Sequence, residues 1–229
     1  MRKALLGLVA AFCASCVQDN NDSTQDIFPL STGNTWNYVD STVYRSEPGG
    51  LDSVHVDSSQ LTVLTTKAIV VNGTQETVYP IVWINNATHQ PEPNRSYSKI
   101  EGHSFYSCGA EQDTAHFFDK ILHLQYPAQK DTSYPTHLYN FASANGVERF
   151  DVDTLTVKVL NTDTLWAGPA GKFSAVKYQA SRARDGWSVT VYYGPGIGYL
   201  GYESKSGVVQ NGISHTTTYK KFLKSYALQ

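Results

Sequence analysis

Alternating apolar and polar residues around tight turns limit this chain to antiparallel β-structure more than any other feature. Within residues 176–183, Val176, Tyr178 and Ala180 alternate with polar residues, apolar residues alternate again in 187–193, and Arg184-Asp185-Gly186 lies between the two stretches. Residues 66–79 contain Asn72-Gly73, a pair that suits a type I′ turn because both central residues need positive φ. The two segments predict two β-hairpins.

Further segments extend this prediction over most of the chain. Residues 36–44 and 150–160 are predicted strands, and a third hairpin is predicted to turn at Asn211-Gly212. The apolar alternation in residues 54–63 changes phase, which predicts a bulge or turn at residues 57–59. Residues 117–124 fit either a strand or one or two helical turns, and residues 219–228 are predicted as the last strand.

The composition favours strands over helices. The chain has 15 Tyr and one Met, it is rich in Val, Thr and Ser, and it lacks long runs of Ala, Leu, Glu and Lys. No internal repeat is found, and no linker follows residue 26, so residues 27–229 are predicted to form one domain. We therefore predict an all-β fold of antiparallel strands with little helix, as a curved sheet, a half-barrel or a sandwich.

Residues 1–15 have the layout of a secretory signal peptide. Arg2 and Lys3 precede an uncharged apolar run in residues 4–12, and the small residues Ala14 and Ser15 follow it. The run is too short to cross a bilayer core of about 30 Å, and no later apolar stretch approaches that length. The sequence therefore predicts an exported protein.

Cys13-Ala14-Ser15-Cys16 resembles the lipobox of bacterial lipoproteins, in which small residues precede a lipidated cysteine. The resemblance implies that Cys16 carries the lipid after cleavage, although Cys13 stands where that family usually has an aliphatic residue. The alternative is ordinary cleavage that leaves Cys16 as a plain thiol. Residues 16–26 are polar and are predicted to form a lipidated flexible tether. The expected location is the cell envelope, at the outer membrane of a Gram-negative bacterium.

Loss of the leader leaves 16 basic and 20 acidic residues, which argues against a nucleic-acid partner. If Cys13 leaves with the leader and Cys16 carries lipid, Cys108 is the one free thiol, so no intrachain disulfide is expected. The sequence gives no reason to expect a cofactor.

No catalytic motif of the H-E-x-x-H, G-x-S-x-G or C-x-x-C type follows the leader. The densest candidate group contains His103, Cys108, His116, Asp119 and His123. Its spacing matches no metal signature, so a structural or surface role is favoured over zinc binding. Cys108 with a histidine base would form a thiol nucleophile.

Asp151 and Asp153 form a second candidate pair, on one face of a predicted strand and about 6.5–7 Å apart. Paired carboxylates bind calcium or serve acid–base chemistry, whereas charges on edge strands more often prevent aggregation. We therefore predict neither a metal site nor a catalytic site.

Three segments resemble a loosely defined group of envelope lipoproteins of unknown function: residues 28–38 (FPLSTGNTWNY), 170–178 (AGKFSAVKY) and 192–200 (YYGPGIGYL). Some members look related to periplasmic lipoprotein carriers, whose curved antiparallel sheets hold acyl chains. The resemblance implies a curved sheet and assigns no binding residue. Trp36 and Tyr38 are themselves predicted to fill the core rather than contact a ligand.

Three functions are consistent with these observations. The favoured one is a non-catalytic, membrane-anchored envelope lipoprotein that binds an apolar or lipid-like ligand or a partner protein. The second is a surface glycan-binding module, because four Trp and 15 Tyr offer rings that stack on sugars. The third is a hydrolase that uses Asp151 and Asp153, or Cys108 and His116.

The lipid anchor is tested by metabolic labelling with a clickable acyl chain. We expect labelled wild-type protein and loss of the label in Cys16→Ala, because the thioether forms on that sulfur. Cys13→Ala is the matched control and keeps the label. Equal labelling of wild type and Cys16→Ala would refute the anchor.

Overall fold

The computed structural model describes residues 24–47, 53–85, 90–111, 115–144, 147–210 and 212–229. Within these ranges the chain forms thirteen strands and no helix, which confirms the all-β prediction. The predicted signal peptide and Cys16 lie outside the described residues. Of the predicted tether, only residues 24–26 lie within them.

The strands have the following bounds: β1 Thr35–Glu47, β2 Ser53–Val63, β3 Lys67–Val71, β4 Thr74–Asn85, β5 Gln90–Glu101, β6 Ser104–Glu111, β7 Ala115–Leu124, β8 Ser133–Ala144, β9 Val147–Gly168, β10 Gly171–Ser181, β11 Ser188–Gly194, β12 Gly198–Gln210 and β13 Ile213–Ala227.

Twelve strands follow one another in a single open antiparallel sheet, in the order β7-β6-β5-β4-β2-β1-β13-β12-β11-β10-β9-β8. β3 lies off this path and pairs with β4. The edge strands β7 and β8 are joined by a short connection and approach each other. There the Tyr134 hydroxyl donates to the carbonyl oxygen of His123 at 3.1 Å. The sheet is therefore strongly curved, but it is not closed into a barrel.

The hairpin predictions are confirmed. Asn72 and Gly73 join β3 to β4 with φ of 48° and 79°, the positive values that a type I′ turn requires. The alternating segments around residue 185 form β10 and β11. Gly212 has a φ of 78° between β12 and β13, whereas Asn211 lies outside the described residues. Residues 117–124, which fit either a strand or helical turns, are part of β7, and the last strand predicted at residues 219–228 is part of β13, which ends at Ala227.

The bulge predicted at residues 57–59 is wrong. β2 runs without a register shift along β1 from Ser53 to Thr62. Val54 and Val56 are 64% and 63% exposed, whereas Leu61 is buried. The apolar phase changes because only the second half of β2 faces the core, so no packing fixes the face on which the valines lie.

The main core draws side chains from most of the strands, and Ile27 and Phe28, which precede β1, pack into it beside Trp36. Trp36 and Tyr38 are fully buried, which confirms their predicted role in the core. Trp36 Nε1 donates to the carbonyl oxygen of Ile197 at 2.6 Å, and the Tyr38 hydroxyl donates to that of Tyr199 at 3.1 Å. These bonds attach β1 to the turn between β11 and β12, two strands away in the sheet.

A bulge at Leu200 bends β12 next to this turn. Tyr192 pairs with Gly201 and Tyr193 with Tyr199, so Leu200 is the extra residue, and its side chain is fully buried. Gly201 has a φ of 151°, and a Cβ atom there would overlap the carbonyl oxygen of Lys221 and lie 2.9 Å from the Trp166 ring. Only glycine lets β12 approach β13 this closely.

A second, smaller core cluster lies where β3 covers the sheet beside β7. It contains Ile69, Val78, Tyr97 and Cys108. Cys108 is 1% exposed and is not part of a disulfide. Burial raises the pKa of its thiol to about 11.

In the part of the chain that the structure describes, no helix has the length and apolar character needed to cross a bilayer.

Replacing Gly201 tests the bulge. We expect Gly201→Ala to lower the free energy of unfolding by about 2–4 kcal/mol, because the methyl group overlaps backbone and an indole ring. Gly207→Ala is the matched control on the same strand. Its Cβ would meet the nearest heavy atom at 3.5 Å, so the expected change is within about 1 kcal/mol. Urea denaturation measures both variants, and equal effects would contradict the close approach.

Burial of Cys108 predicts an inert thiol in the native protein. Because its pKa is about 11, the thiolate fraction at pH 8 is very small, and the side chain is only 1% exposed. We expect alkylation of Cys108 by iodoacetamide to be at least about 100-fold slower in the native protein than in guanidinium. Mass spectrometry of the Cys108 peptide separates this residue from Cys13 and Cys16. Similar native and denatured rates would contradict the burial.

Candidate functional site

The concave face of the sheet leaves a groove beside the main core. Three adjoining cavities of about 480, 430 and 200 Å³ share wall residues, and Val191 lines all three. We call these joined cavities the groove. Its aromatic wall consists of Phe28, Trp83, Phe105, Tyr193, Tyr199 and Tyr202. Its aliphatic wall consists of Leu61, Ile81, Leu155, Val157, Val189 and Val191.

Strand alternation explains why β11 contributes so much of the wall. Val189, Val191 and Tyr193 occupy alternate positions and line the groove. Tyr192, between them, contacts the Trp166 ring, with centroids 4.2 Å apart. The alternation that predicts this hairpin from the sequence thus also places its apolar side chains on the groove.

One charged pair lies in the groove wall. Asp40 of β1 and Lys221 of β13 are direct partners across the sheet, and their charged atoms are 3.0 Å apart. The Lys221 ammonium donates to the Ser59 hydroxyl at 2.8 Å, and that hydroxyl donates to Asp40 at 2.8 Å. The ammonium also lies 4.3 Å from the centroid of the Trp83 ring, within cation–π range.

Burial shifts the pKa of four other side chains of the groove wall so that they are uncharged at neutral pH. Burial raises the pKa of Tyr193, Tyr199 and Tyr202, so these phenols keep their protons. Burial lowers the pKa of His123 to about 4, so its imidazole is neutral. The groove is therefore apolar apart from hydroxyl groups, imidazoles and one ion pair, Asp40–Lys221.

Four charged residues form a cluster where the groove meets the turn between β10 and β11. Arg182 and Arg184 both bond Asp153, at 2.6 and 2.9 Å. Arg182 also pairs with Asp185 at 2.7 Å and lies over the ring of Trp187. Asp153 is thus engaged by two guanidinium groups. The side chain of Asp151 lies outside the described residues. Of the predicted carboxylate pair, the structure therefore describes only the side chain of Asp153, which is ion-paired.

The predicted His/Cys group lies in different environments. His103 bonds Asp26 at 2.8 Å, Cys108 lies in the second core cluster, and His123 lines the groove. The side chains of His116 and Asp119 fall outside the described residues. Among the side chains that are described, no three His, Cys, Asp or Glu residues are placed to hold a metal ion.

The four tryptophans are distributed between the core and the groove. Trp36 and Trp166 are buried, Trp83 is part of the groove wall, and Trp187 is 37% exposed at the rim. Complete burial of all four would have contradicted a glycan-binding role, and that condition is not met.

Sequence reasoning missed the groove and its charged pair. Asp40 and Lys221 are far apart in the chain, and a lone Asp or Lys on a strand gives no local signal. The one available clue was the alternation in β11, which indicated a shared face without indicating whether that face meets core, cavity or solvent.

No protein-family model matches this chain, and no curated protein matches it. Its structure is similar to that of a protein from Parabacteroides distasonis that is provisionally described as a lipoprotein, with 13% identity, a TM-score of 0.43, and coverage of 89% of this chain and 99% of that one. It is also similar to an exported protein of Bacteroides fragilis, provisionally so described, with a YmcC-like fold, at 12% identity, a TM-score of 0.48, and coverage of 89% and 100%. At these identities and TM-scores neither likeness carries an argument about function.

Proposed function

We propose that this protein is a non-catalytic, membrane-anchored envelope lipoprotein whose groove binds an apolar or lipid-like ligand. The observation that carries the ligand proposal is the groove itself, a concave surface of aromatic and aliphatic side chains that borders the main core. The lipobox resemblance at Cys16 supports the anchor.

The size and chemistry of the groove support a small-molecule ligand. Its largest cavity, about 480 Å³, falls within the range of small-molecule sites, roughly 300–1,000 Å³. Water against an apolar wall finds few hydrogen-bond partners, so an apolar ligand that displaces it gains free energy. Removal of apolar surface from water stabilises such a complex by about 25 cal/mol per Å².

The glycan alternative fits the groove less well. Sugars need free hydrogen-bonding groups to orient their hydroxyls, in addition to rings for stacking. Asp40 and Lys221 bond each other, and the acidic and basic groups beside Trp187 are also paired. Among its described residues, the wall therefore has aromatic rings for stacking, but its charged groups are bonded to one another and are not free to bond sugar hydroxyls.

The described candidate nucleophile and carboxylate also favour a non-catalytic role. The Cys108 thiol is buried away from the groove, and its raised pKa keeps it protonated. Asp153 is held in ion pairs with two arginines. A catalytic carboxylate or thiolate has to be free to react with substrate, whereas Asp153 is ion-paired and the Cys108 thiol is protonated and 1% exposed.

Binding of the neutral fluorescent probe N-phenyl-1-naphthylamine tests the proposal. We expect wild-type protein to enhance its fluorescence, and Val191→Asp to weaken binding by at least about tenfold, because this substitution puts a charge on the wall of all three cavities.

The matched control is Val209→Asp, the same substitution at a residue that is 72% exposed and does not line the groove. It should leave binding unchanged. Val191→Trp, which fills the groove without adding a charge, covers the case in which Val191→Asp fails to fold. Absence of probe binding by folded wild type, or equal loss in Val209→Asp, would contradict the groove as the site.

A further inference from the structure

Asp40 and Lys221 form their hydrogen bonds with each other and with Ser59, within the groove wall. One Asp40 oxygen accepts from Lys221 and the other accepts from Ser59. The ammonium has three N–H donors: it donates to Asp40 and Ser59 and faces the Trp83 ring. With its side chain only 12% exposed, Lys221 has no donor directed at an incoming ligand.

A charged ligand in this part of the groove would therefore meet no free counter-charge. It would lose its hydration while the nearest cation stays bonded to Asp40. An uncharged ligand of the same shape pays no such desolvation penalty, and it covers the pair without breaking it. The neutral His123 and the protonated tyrosines of the wall add no charge that would compensate.

We infer that the Asp40–Lys221 pair is the specificity-determining element of the groove and restricts its ligand to uncharged apolar molecules or to the uncharged chain of an amphipathic one. This inference rests on the proposed ligand-binding function. The pair acts by internal neutralisation: each member cancels a charge that, left alone, would select a ligand of opposite sign.

Two probes with one ring skeleton test the inference. N-phenyl-1-naphthylamine is uncharged, and 8-anilinonaphthalene-1-sulfonate carries a fixed sulfonate on the same anilinonaphthalene core. Both are compact, so the sulfonate cannot remain far from the wall when the rings are bound. We expect wild-type protein to bind the sulfonate probe at least about tenfold more weakly than the neutral one.

Asp40→Asn is the decisive variant because it leaves the Lys221 ammonium without its carboxylate. We expect it to tighten binding of the sulfonate probe by about tenfold and to change binding of the neutral probe by less than about threefold. Asp131→Asn is the matched control: it removes the same charge from an ion pair with Lys158, and Asp131 does not line the groove. It should change neither affinity.

Lys221→Gln supplies an opposite prediction if Asp40→Asn does not fold. It leaves Asp40 as an unpaired anion, so the sulfonate probe should bind even more weakly than to wild type. Equal affinity of wild type for the two probes, or an unchanged sulfonate affinity in a folded variant of the pair, would overturn the inference alone. Failure of wild type to bind either probe would overturn the proposed function together with it.

Discussion

The attachment of β1 to the turn between β11 and β12 is the constraint on which the curved sheet depends. Trp36 and Tyr38 each place an aromatic ring in the core and donate a hydrogen bond to a backbone carbonyl 161 residues later in the chain. Both side chains are fully buried, so loss of either bond would leave a buried side-chain donor without this partner. Because β13 lies between β1 and β12 in the sheet, the bonds form only when the sheet is bent.

The same bend separates a packed core from an open groove. The Phe28 ring contacts that of Trp36 at a centroid distance of 4.7 Å and also lines the groove, so Phe28 lies at the boundary between core and groove. The bulge at Leu200 and the missing side chain of Gly201 bring β12 against the backbone of Lys221. The bulge and the close approach of β12 to β13 therefore also position Lys221, the cation of the groove's ion pair.

The sequence predicted what local chemistry determines and missed what distant contacts determine. The Asn72-Gly73 hairpin and the β10–β11 pair were predictable because turn residues and alternation are local signals. The supposed bulge in β2 was wrong, since exposed Val54 and Val56 follow no core-facing pattern. The Asp40–Lys221 pair was not predictable, because its register across β1 and β13 follows from the order of strands in the whole sheet.

The charged pair also fixes part of the groove wall. Lys221 holds Asp40 and Ser59 together and lies against Trp83, which fixes these wall residues in place. Because these wall residues are already bonded to one another, a ligand that enters the groove causes little rearrangement. Selectivity in such a groove follows from the absence of a free charge, and it is set by two residues that need make no hydrogen bond to the ligand.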